Sequence, residues 1–243
     1  MATIHMFLQG KGGVGKTFAA TLLAQKMIED GKKPLCIDID PVNATFAGYK
    51  ALDVRAFDVM EGDDVNPWKF DKMIELVAGS EEDVIIDNGA SSFIPLLSYF
   101  KKTDIPGLLE DYGHTLVIHT VIVGGNALLD TVDGLVKSLA MFSGDVKFVV
   151  WLNPVSGPIE SEGKEFYEFK AYTKNAERID AVIEIPELQQ QTFDRDMREM
   201  MAANLTFNEA LKKDSGVPIV SKQRLVMMRR DFWSRMAVLE EIS

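Results

Sequence analysis

The sequence predicts an α/β fold of three layers, in which a mostly parallel central sheet lies between two layers of helices. Short apolar runs of the kind shown by buried parallel strands recur along the chain, beginning with Ile4, Met6 and Leu8. A helical spacing of apolar residues, from 19 to 27, follows that first run. Several later runs end in a carboxylate or an asparagine. Polar residues at strand ends are typical of doubly wound folds, which bind ligands at that edge of the sheet.

The chain is long enough to bury a complete hydrophobic core. It has 243 residues, of which 47% are hydrophobic, and α/β folds of this length are often one domain. No proline- or serine-rich linker divides the sequence. We therefore expect a single domain over residues 1–243.

Net charge and cysteine content argue against several classes of protein. The formal net charge is −11 and the sequence pI is about 4.8, which works against nonspecific attraction to DNA or anionic lipid. The single cysteine, Cys36, excludes an internal disulfide and a four-cysteine metal site, and its apolar neighbours indicate a buried, unreactive thiol. The sequence has no secretory signal pattern and no apolar run of about 18 residues. We therefore expect a cytoplasmic protein.

The turn after the first strand satisfies G-x-x-x-x-G-K-[ST], the phosphate-binding P-loop. A predicted strand precedes it and a predicted helix follows it. Its backbone N–H groups, and the positive end of the helix dipole, are therefore expected to face a phosphate chain. Glycine is needed where a side chain would block that approach. The predicted nucleotide-binding residues of this segment are Gly10, Lys11, Gly12, Gly13, Val14, Gly15, Lys16, Thr17 and Phe18.

Lys11 adds a second lysine directly after the first glycine of the loop. The resulting K-G-G-x-G-K-T resembles the deviant Walker A motif of the ParA/MinD family of ATPases, whose members sandwich two ATP molecules between facing protomers. The resemblance implies an ATP-dependent homodimer. In it, Lys16 would bind the β- and γ-phosphates of its own nucleotide and Lys11 would meet the nucleotide of the other subunit. Both lysines are therefore candidate catalytic residues.

Two predicted strands end in carboxylates, and parallel strands bring such ends to one edge of the sheet. The second strand ends with Asp38 and Asp40, which share one face of an extended chain. The run 83–87 ends with Asp87. Carboxylates so close are costly unless a cation such as Mg²⁺ compensates their charge. The alternative for either residue of the first pair is an aspartate that caps the following helix.

The sequences around these carboxylates resemble the two switch segments of the same family. D-I-D-P-V-N-A-T, residues 38–45, is one residue shorter than the family's first switch and lacks its glutamine. D-N-G-A-S, from residue 87, stands where the family usually has D-T-P-P-S. The resemblance implies Mg²⁺ bound by Thr17 and, through water, by Asp38 and Asp87. Asp40 is the candidate for orienting the attacking water, and the predicted switch residues are Asp40, Asn43, Asp87 and Gly89.

Asn153 ends the apolar strand 148–153 and resembles the family's base-recognition residue. A side-chain amide can donate and accept at once, as an adenine edge requires. The Lys and Asp expected after this position in a guanine-reading relative are absent, so ATP is favoured over GTP. The strand from residue 181 ends with Ile185 and Pro186, which resemble the segment that the family packs against the base. The alternative for Asn153 is a turn residue before Pro154.

Two further segments are predicted to be helical. Residues 161–172 look helical, and residues from about 222 to 240 form an amphipathic C-terminal helix. A basic amphipathic helix in this place binds membrane in MinD-like proteins. Burial of its apolar face against the body of the protein is favoured here, with membrane binding as the alternative. His5, His114 and His119 have no metal-ligand spacing and are interpreted as structural.

The order of these motifs, over nearly the whole length, resembles the TraL-like conjugal transfer ATPases, a group within the ParA/MinD family. The resemblance implies a bacterial ATP-dependent molecular switch with slow hydrolysis, which uses ATP and Mg²⁺ and has a protein of the conjugation machinery as partner. One alternative is a partition or positioning ATPase that acts on DNA or membrane. Another is a module that binds nucleotide without turnover. Direct DNA binding is not expected, because the chain is acidic.

Overall fold

A seven-stranded sheet forms the centre of the structure, a computed structural model that describes residues 1–40, 43–142, 144–187 and 191–242. Along the chain, the strands are β1 (Thr3–Phe7), β2 (Leu35–Asp38), β3 (Arg55–Ala56), β4 (Met60–Glu61), β5 (Asp64–Val65), β6 (Val84–Asp87), β7 (Thr115–Val123), β8 (Lys147–Asn153), β9 (Glu160–Ser161), β10 (Lys164–Glu165) and β11 (Ala181–Glu184). The central sheet has the order β11-β8-β7-β1-β6-β2-β3, and all its pairings are parallel. The other four strands form two small antiparallel hairpins.

Helices cover both faces of this sheet. They are α1 (Lys16–Glu29), α2 (Pro67–Ala78), α3 (Phe93–Thr103), α4 (Ile105–Asp111), α5 (Leu128–Met141), α6 (Lys170–Thr173), α7 (Gln191–Ala202), α8 (Phe207–Ala210) and α9 (Ile219–Met236). Buried residues of α2 to α5 share one hydrophobic core, and buried residues of α1, α7, α8 and α9 share another. The predicted α/β fold of three layers is confirmed, and its central sheet is wholly parallel within the described residues.

The alternation of side chains in β1 explains why the two cores form. Ile4 and Met6 belong to the core under α2 to α5, whereas Phe7 belongs to the core under α1. All five residues of the strand are buried, as expected for a parallel strand covered on both faces. In the sheet, β2 lies on one side of β1, and β7, which comes later in the chain, lies on the other. The crevice beside the carboxyl end of β1 is therefore a topological switch point, where such folds bind ligands.

The predicted helix over residues 161–172 is wrong. The hairpin of β9 and β10 occupies its first part, and only the short α6 is α-helical at its end. Glu162 and Gly163, which join the two strands, have φ angles of 52° and 72°. Two successive residues with positive φ make a tight hairpin turn that an α-helix cannot contain.

The C-terminal helix packs against the body of the protein. It begins at Ile219, after Pro218, rather than at about residue 222, and a short 3₁₀ helix, Ala237–Glu241, follows it. Its buried apolar residues join the core that α1 covers, namely Leu225, Met228, Phe232 and Met236, together with Leu239 of the 3₁₀ helix. Within the described ranges, no helix is long and apolar enough to cross a membrane.

Two buried histidines lie end to end beneath α1. The indole Nε1–H of Trp151 donates to His119 Nδ1 at 3.0 Å. The proton of His119 must then lie on Nε2, which is 2.9 Å from His5 Nδ1 and donates to it. Burial lowers the pKa of His5 to about 4 and that of His119 well below its usual value. Both rings are therefore neutral in the folded protein at pH 7.

This pair predicts acid sensitivity. Because the pKa of His5 is lower in the folded protein than in the unfolded chain, protons bind the unfolded chain preferentially as the pH falls below 6.5. Between pH 7.5 and pH 5, the wild type should lose about 2 kcal/mol of unfolding free energy relative to a His5→Gln variant. Urea unfolding of both proteins at these pH values measures the difference. A difference independent of pH would contradict a neutral buried His5.

Candidate functional site

The loop between β1 and α1 depends on glycine at two positions. Gly13 and Gly15 have φ angles of 74° and 102°, a backbone region that side chains disfavour. A Cβ on Gly15 would also lie 2.7 Å from Nδ2 of Asn153. The amide of Asn153 in turn donates to the carbonyl of Val14 at 2.8 Å. Any larger residue at position 15 would therefore disturb both the loop and the strand end that braces it.

Lys16, at the start of α1, is nearly buried within this loop. Its Nζ donates to the carbonyl oxygen of Lys11 at 3.4 Å. Burial lowers the pKa of Lys16, while the neighbouring charges of Asp87 and Asp40 oppose that shift. A buried ammonium stabilised by nearby negative charge is suited to bind an anion such as a phosphate.

Asp87 and Thr17 form a contact suited to a magnesium ion. Thr17 Oγ1 donates to Asp87 Oδ2 at 2.5 Å. The other oxygen, Asp87 Oδ1, is buried and has no hydrogen-bond partner among the described residues. Burial, with the charges of Asp38 and Asp40 adding to it, raises the pKa of Asp87 to about 7.

The donor set around Asp87 fits Mg²⁺ better than a metal held by protein alone. Considering the described part of the chain, no three His, Cys, Asp or Glu side chains group to hold a metal ion. Mg²⁺ commonly takes one or two protein oxygens and completes its shell with water and substrate phosphates. A hydroxyl beside a buried carboxylate with an unpaired oxygen fits this kind of site.

Asp38 lies next to Asp87 because β2 and β6 pair in register at these residues. Its carboxylate accepts backbone N–H groups from Asp40 at 3.0 Å and from Ala47 at 2.9 Å. Burial raises its pKa even though these hydrogen bonds lower it. In this structure Asp38 therefore shapes the loop that follows β2, and its role at a metal-bound water stays a prediction.

The two predicted switch segments are in contact. Asp40 Oδ1 accepts the backbone N–H of Asn43 at 3.0 Å. A Cβ on Gly89 would lie only 2.7 Å from the same oxygen, so the absence of a side chain there lets the carboxylate approach. Pro41 and Val42, which belong to the first predicted switch, lie outside the described residues.

Two adjoining cavities bring together many of the residues that the sequence singled out. One, of about 530 Å³, is lined by P-loop residues together with Asp40, Asn43 and Asn88. The other, of about 440 Å³, is lined by Phe18, Asn153, Ile185 and Pro186 and by residues of α7 and α9. Both cavities share Gly13, Gly15, Phe18 and Met201 as lining residues. A nucleotide could therefore place its phosphates in the first cavity and its base in the second. The predicted site residues that line neither cavity are Gly10, Lys11, Asp38, Asp87 and Gly89.

One wall of the second cavity was not predicted from the sequence. Met197, Arg198 and Met201 of α7 line it, together with Phe232 of α9. The ring of Phe232 stands edge-on to that of Phe18, with centroids 5.7 Å apart. The helical pattern of these segments was visible in the sequence, but nothing in it indicated that they pack beside the P-loop.

Asn153 has two structural contacts within this arrangement. Besides its bond to Val14, its Oδ1 accepts the backbone N–H of Val155 at 3.2 Å and caps the short turn at Pro154. The turn role and the cavity-lining position therefore coexist. Base recognition by this residue stays a prediction.

Lys11 has a different position from Lys16. Its side chain is 45% exposed, and its Nζ lies 2.8 Å from Oδ2 of Asp130, an exposed residue in the first turn of α5. Gln9, two residues before Lys11, is fully buried, and its Nε2 donates to the carbonyl oxygens of Val121 and Thr131 at 3.1 and 3.0 Å. The start of the loop is thus fixed to β7 and α5, while the ammonium of Lys11 lies at the surface. Neither Gln9 nor Asp130 was identified from the sequence.

Comparison with known proteins agrees with this geometry. Residues 5–202 match the model of the CobQ/CobB/MinD/ParA nucleotide binding domain. A chain of the MinC:MinD cell division protein complex of Aquifex aeolicus has the same fold, with a TM-score of 0.51 and 15% identity over 96% of both chains. The fold is thus that of a P-loop nucleotide-binding protein.

Two curated relatives match more closely in sequence. Two Escherichia coli proteins, each named Protein TraL, are 52% and 51% identical to this chain over 236 residues, which is 97% of this chain and 98% of each relative. The chain therefore belongs to the ParA/MinD family of nucleotide-binding proteins, as a TraL-like member of it.

The buried carboxylate of Asp87 yields a prediction. An Asp87→Asn variant without nucleotide should have a higher thermal unfolding midpoint than the wild type at pH 8. The reason is that it removes a buried charge next to Asp38 and Asp40. The same variant should lose the extra stabilisation that Mg²⁺ adds to ADP in the wild type. Thermal unfolding with ADP in Mg²⁺ or in EDTA measures both effects.

Asp83→Asn is the matched control for this experiment. Asp83 precedes the same strand, but Lys32 and the backbone N–H of Thr3 lower its pKa. The control should be less stable than the wild type and should keep the effect of Mg²⁺. A destabilised Asp87→Asn protein with an unchanged response to Mg²⁺ would contradict the assignment.

Proposed function

We propose that this protein is an ATP-binding molecular switch that hydrolyses ATP slowly, acts as an ATP-dependent homodimer and serves plasmid conjugal transfer. The observation that carries the proposal is the separation of the two lysines of the loop. Lys16 is nearly buried and lines the first cavity, whereas Lys11 lies at the surface against Asp130. This separation supports a role of Lys16 in binding the nucleotide of its own chain and leaves Lys11 accessible to a second molecule.

The residues of the first cavity can be given roles on this basis. Lys16 and the backbone N–H groups of the loop bind the phosphates, and Thr17 and Asp87 hold Mg²⁺. When bound, Mg²⁺ neutralises charge on the phosphate oxygens. Asp40, which lines the cavity beside Gly89, accepts a hydrogen bond from the attacking water and orients it.

The second cavity supports ATP as the nucleotide. Ile185 and Pro186 offer an apolar surface to a base, and Asn153 offers an amide that can pair with an adenine edge. Phe18 and Phe232, which also line this cavity, add to its apolar surface.

Dimerisation requires Lys11 to leave Asp130, and the cost of this step is small. Both side chains of the pair are about half exposed, and exposed ion pairs contribute only about 0–1 kcal/mol. A phosphate of a facing nucleotide carries more negative charge than one carboxylate, so Lys11 gains from the exchange. In that position its charge would stabilise the developing charge of phosphoryl transfer, as an arginine finger does.

The setting of plasmid transfer rests on the similarity to the TraL proteins, which extends over almost the whole chain. A membrane-positioning function receives less support, because the apolar face of α9 is already buried in the core. A partner from the conjugation machinery follows from the same similarity.

Replacement of Lys11 tests the dimeric switch. Lys11→Ala should bind ATP within about twofold of the wild-type affinity, because Lys16 and the loop amides remain. It should lose at least about tenfold in the rate of phosphate release, because the charge supplied across the dimer is gone. Fluorescent-nucleotide titration and a phosphate-release assay measure the two effects. Unchanged turnover would refute a catalytic role of Lys11 across the dimer.

Two controls complete this experiment. Lys137→Ala removes another exposed lysine, one paired with Asp133 on the outer face of α5, and should change neither binding nor turnover. Asp40→Ala should bind ATP and release no phosphate. A wild type that releases no more phosphate than Asp40→Ala would instead be a nucleotide-binding module without turnover.

A further inference from the structure

The carboxamide of Asn88, directly after the predicted metal residue Asp87, is buried but only half satisfied. Asn88 is 1% exposed. Its Oδ1 accepts the hydroxyl proton of Ser92, just before α3. Its Nδ2 has no hydrogen-bond partner among the described residues. Buried amide N–H groups are nearly always paired, so a free one in a ligand cavity indicates a missing acceptor.

The amide of Asn88 has its oxygen turned toward Ser92 and its Nδ2 end free of partners among the described residues. Ser92 is fully buried, and its Oγ also lies 3.0 Å from the carbonyl oxygen of Gly89. A hydroxyl has one proton to donate, and the contact with Asn88 is the shorter of the two. The proton therefore points to Asn88 Oδ1. The NH₂ group of Asn88 then faces away from Ser92 with its hydrogen-bonding capacity unused.

The position of Asn88 indicates what the missing acceptor is. Asn88 lines the same cavity as Lys16, Thr17 and Asp40. In the chain it lies between Asp87, which bonds to Thr17, and Gly89, which touches Asp40. Phosphate oxygens are strong acceptors, and the terminal phosphate is the group that distinguishes a nucleoside triphosphate from a diphosphate.

We propose that Asn88 is a phosphate-positioning residue whose NH₂ group donates to an oxygen of the terminal phosphate of the bound triphosphate. The inference rests on the proposed function and deepens it, because it identifies the side chain that discriminates ATP from ADP. Ser92 is the residue that orients the amide. Because Ser92 bonds to Asn88 and directly precedes α3, the proposed hydrogen bond would connect the terminal phosphate to the start of that helix. The first residue of α3, Phe93, packs close to Gly10 of the P-loop.

Nucleotide discrimination by Asn88→Ala tests the proposal. Its affinity for the non-hydrolysable triphosphate AMPPNP should fall about tenfold, the usual effect of losing a hydrogen bond to a charged group. Its affinity for ADP should stay within about twofold, because the α- and β-phosphates are bound by the P-loop. Fluorescent-nucleotide competition at fixed Mg²⁺ gives both constants. The ³¹P resonance of the γ-phosphate of bound AMPPNP should move in the variant, while the α resonance keeps its position.

Ser92→Ala is a second variant that leaves Asn88 in place. It removes the group that orients the amide, so it should reduce the preference for AMPPNP over ADP by a smaller factor than Asn88→Ala does. Asn175→Ala is the control and should preserve the wild-type preference. Asn175 does not line the cavity, and among the described residues its side-chain amide bonds only to the carbonyl oxygen of Ala171. Circular dichroism and thermal unfolding establish that each variant is folded.

The outcomes separate this inference from the proposed function. Equal losses for AMPPNP and ADP in Asn88→Ala, or no loss for either in a folded variant, would overturn the role of Asn88 while leaving ATP binding intact. A folded wild type that binds neither nucleotide would overturn the proposed function together with this inference. A selective loss for AMPPNP in Asn88→Ala, with a smaller one in Ser92→Ala, would support it.

Discussion

The clustering of charge at the carboxyl edge of the sheet is the constraint on which the rest of the site depends. Asp38 and Asp87 end adjacent strands in register, Asp40 follows two residues later, and Lys16 lies beside them. Burial raises the pKa of Asp87, and the charges of Asp38 and Asp40 add to this shift although Thr17 and Lys16 oppose it. Three carboxylates around one ammonium thus leave excess negative charge at this edge. A ligand that brings both Mg²⁺ and phosphate would relieve this imbalance, since the cation pairs with the carboxylates and the anion pairs with Lys16 and the loop amides.

The same edge also couples the elements that would respond to a nucleotide. Asp40 of the first predicted switch segment lies against Gly89 of the second. Asn88 and Ser92 then connect the second switch to α3, and Gln9 connects the start of the P-loop to α5. Through the proposed hydrogen bond of Asn88, a change at the terminal phosphate would reach α3, while the start of the P-loop is bonded to α5 on the same face of the sheet. Lys11, at the rim of the same loop, would be the contact point for a second molecule in the proposed dimer.

The ends of the central strands could be predicted from the sequence, because they depend on the local pattern of apolar and polar residues. Apolar runs ending in Asp38, Asp87 and Asn153 predicted the strand ends, and parallel pairing then placed them at one edge. The prediction of a helix over residues 161–172 was wrong for an equally local reason. Glu162 and Gly163 form a two-residue turn, which the apolar spacing of the segment does not indicate.

The contacts of the site that could not be predicted join residues far apart in the sequence. Lys11 pairs with Asp130 across 119 positions, and nothing near either residue indicates the other. The α7 wall of the second cavity is similarly invisible, because an amphipathic helix reveals its buried face but not the element on which it packs. Asn88 could have been identified as a departure from the family's usual second switch, but the free end of its amide required the position of Ser92.

Sedimentation velocity without nucleotide, with ADP and with ATP, all in the presence of Mg²⁺, tests the central claim most directly. The account predicts a monomer in the first two conditions, with Lys11 retained by Asp130, and a dimer with ATP, in which Lys11 meets the nucleotide of the facing subunit. The same sedimentation coefficient in all three conditions would contradict an ATP-dependent dimeric switch.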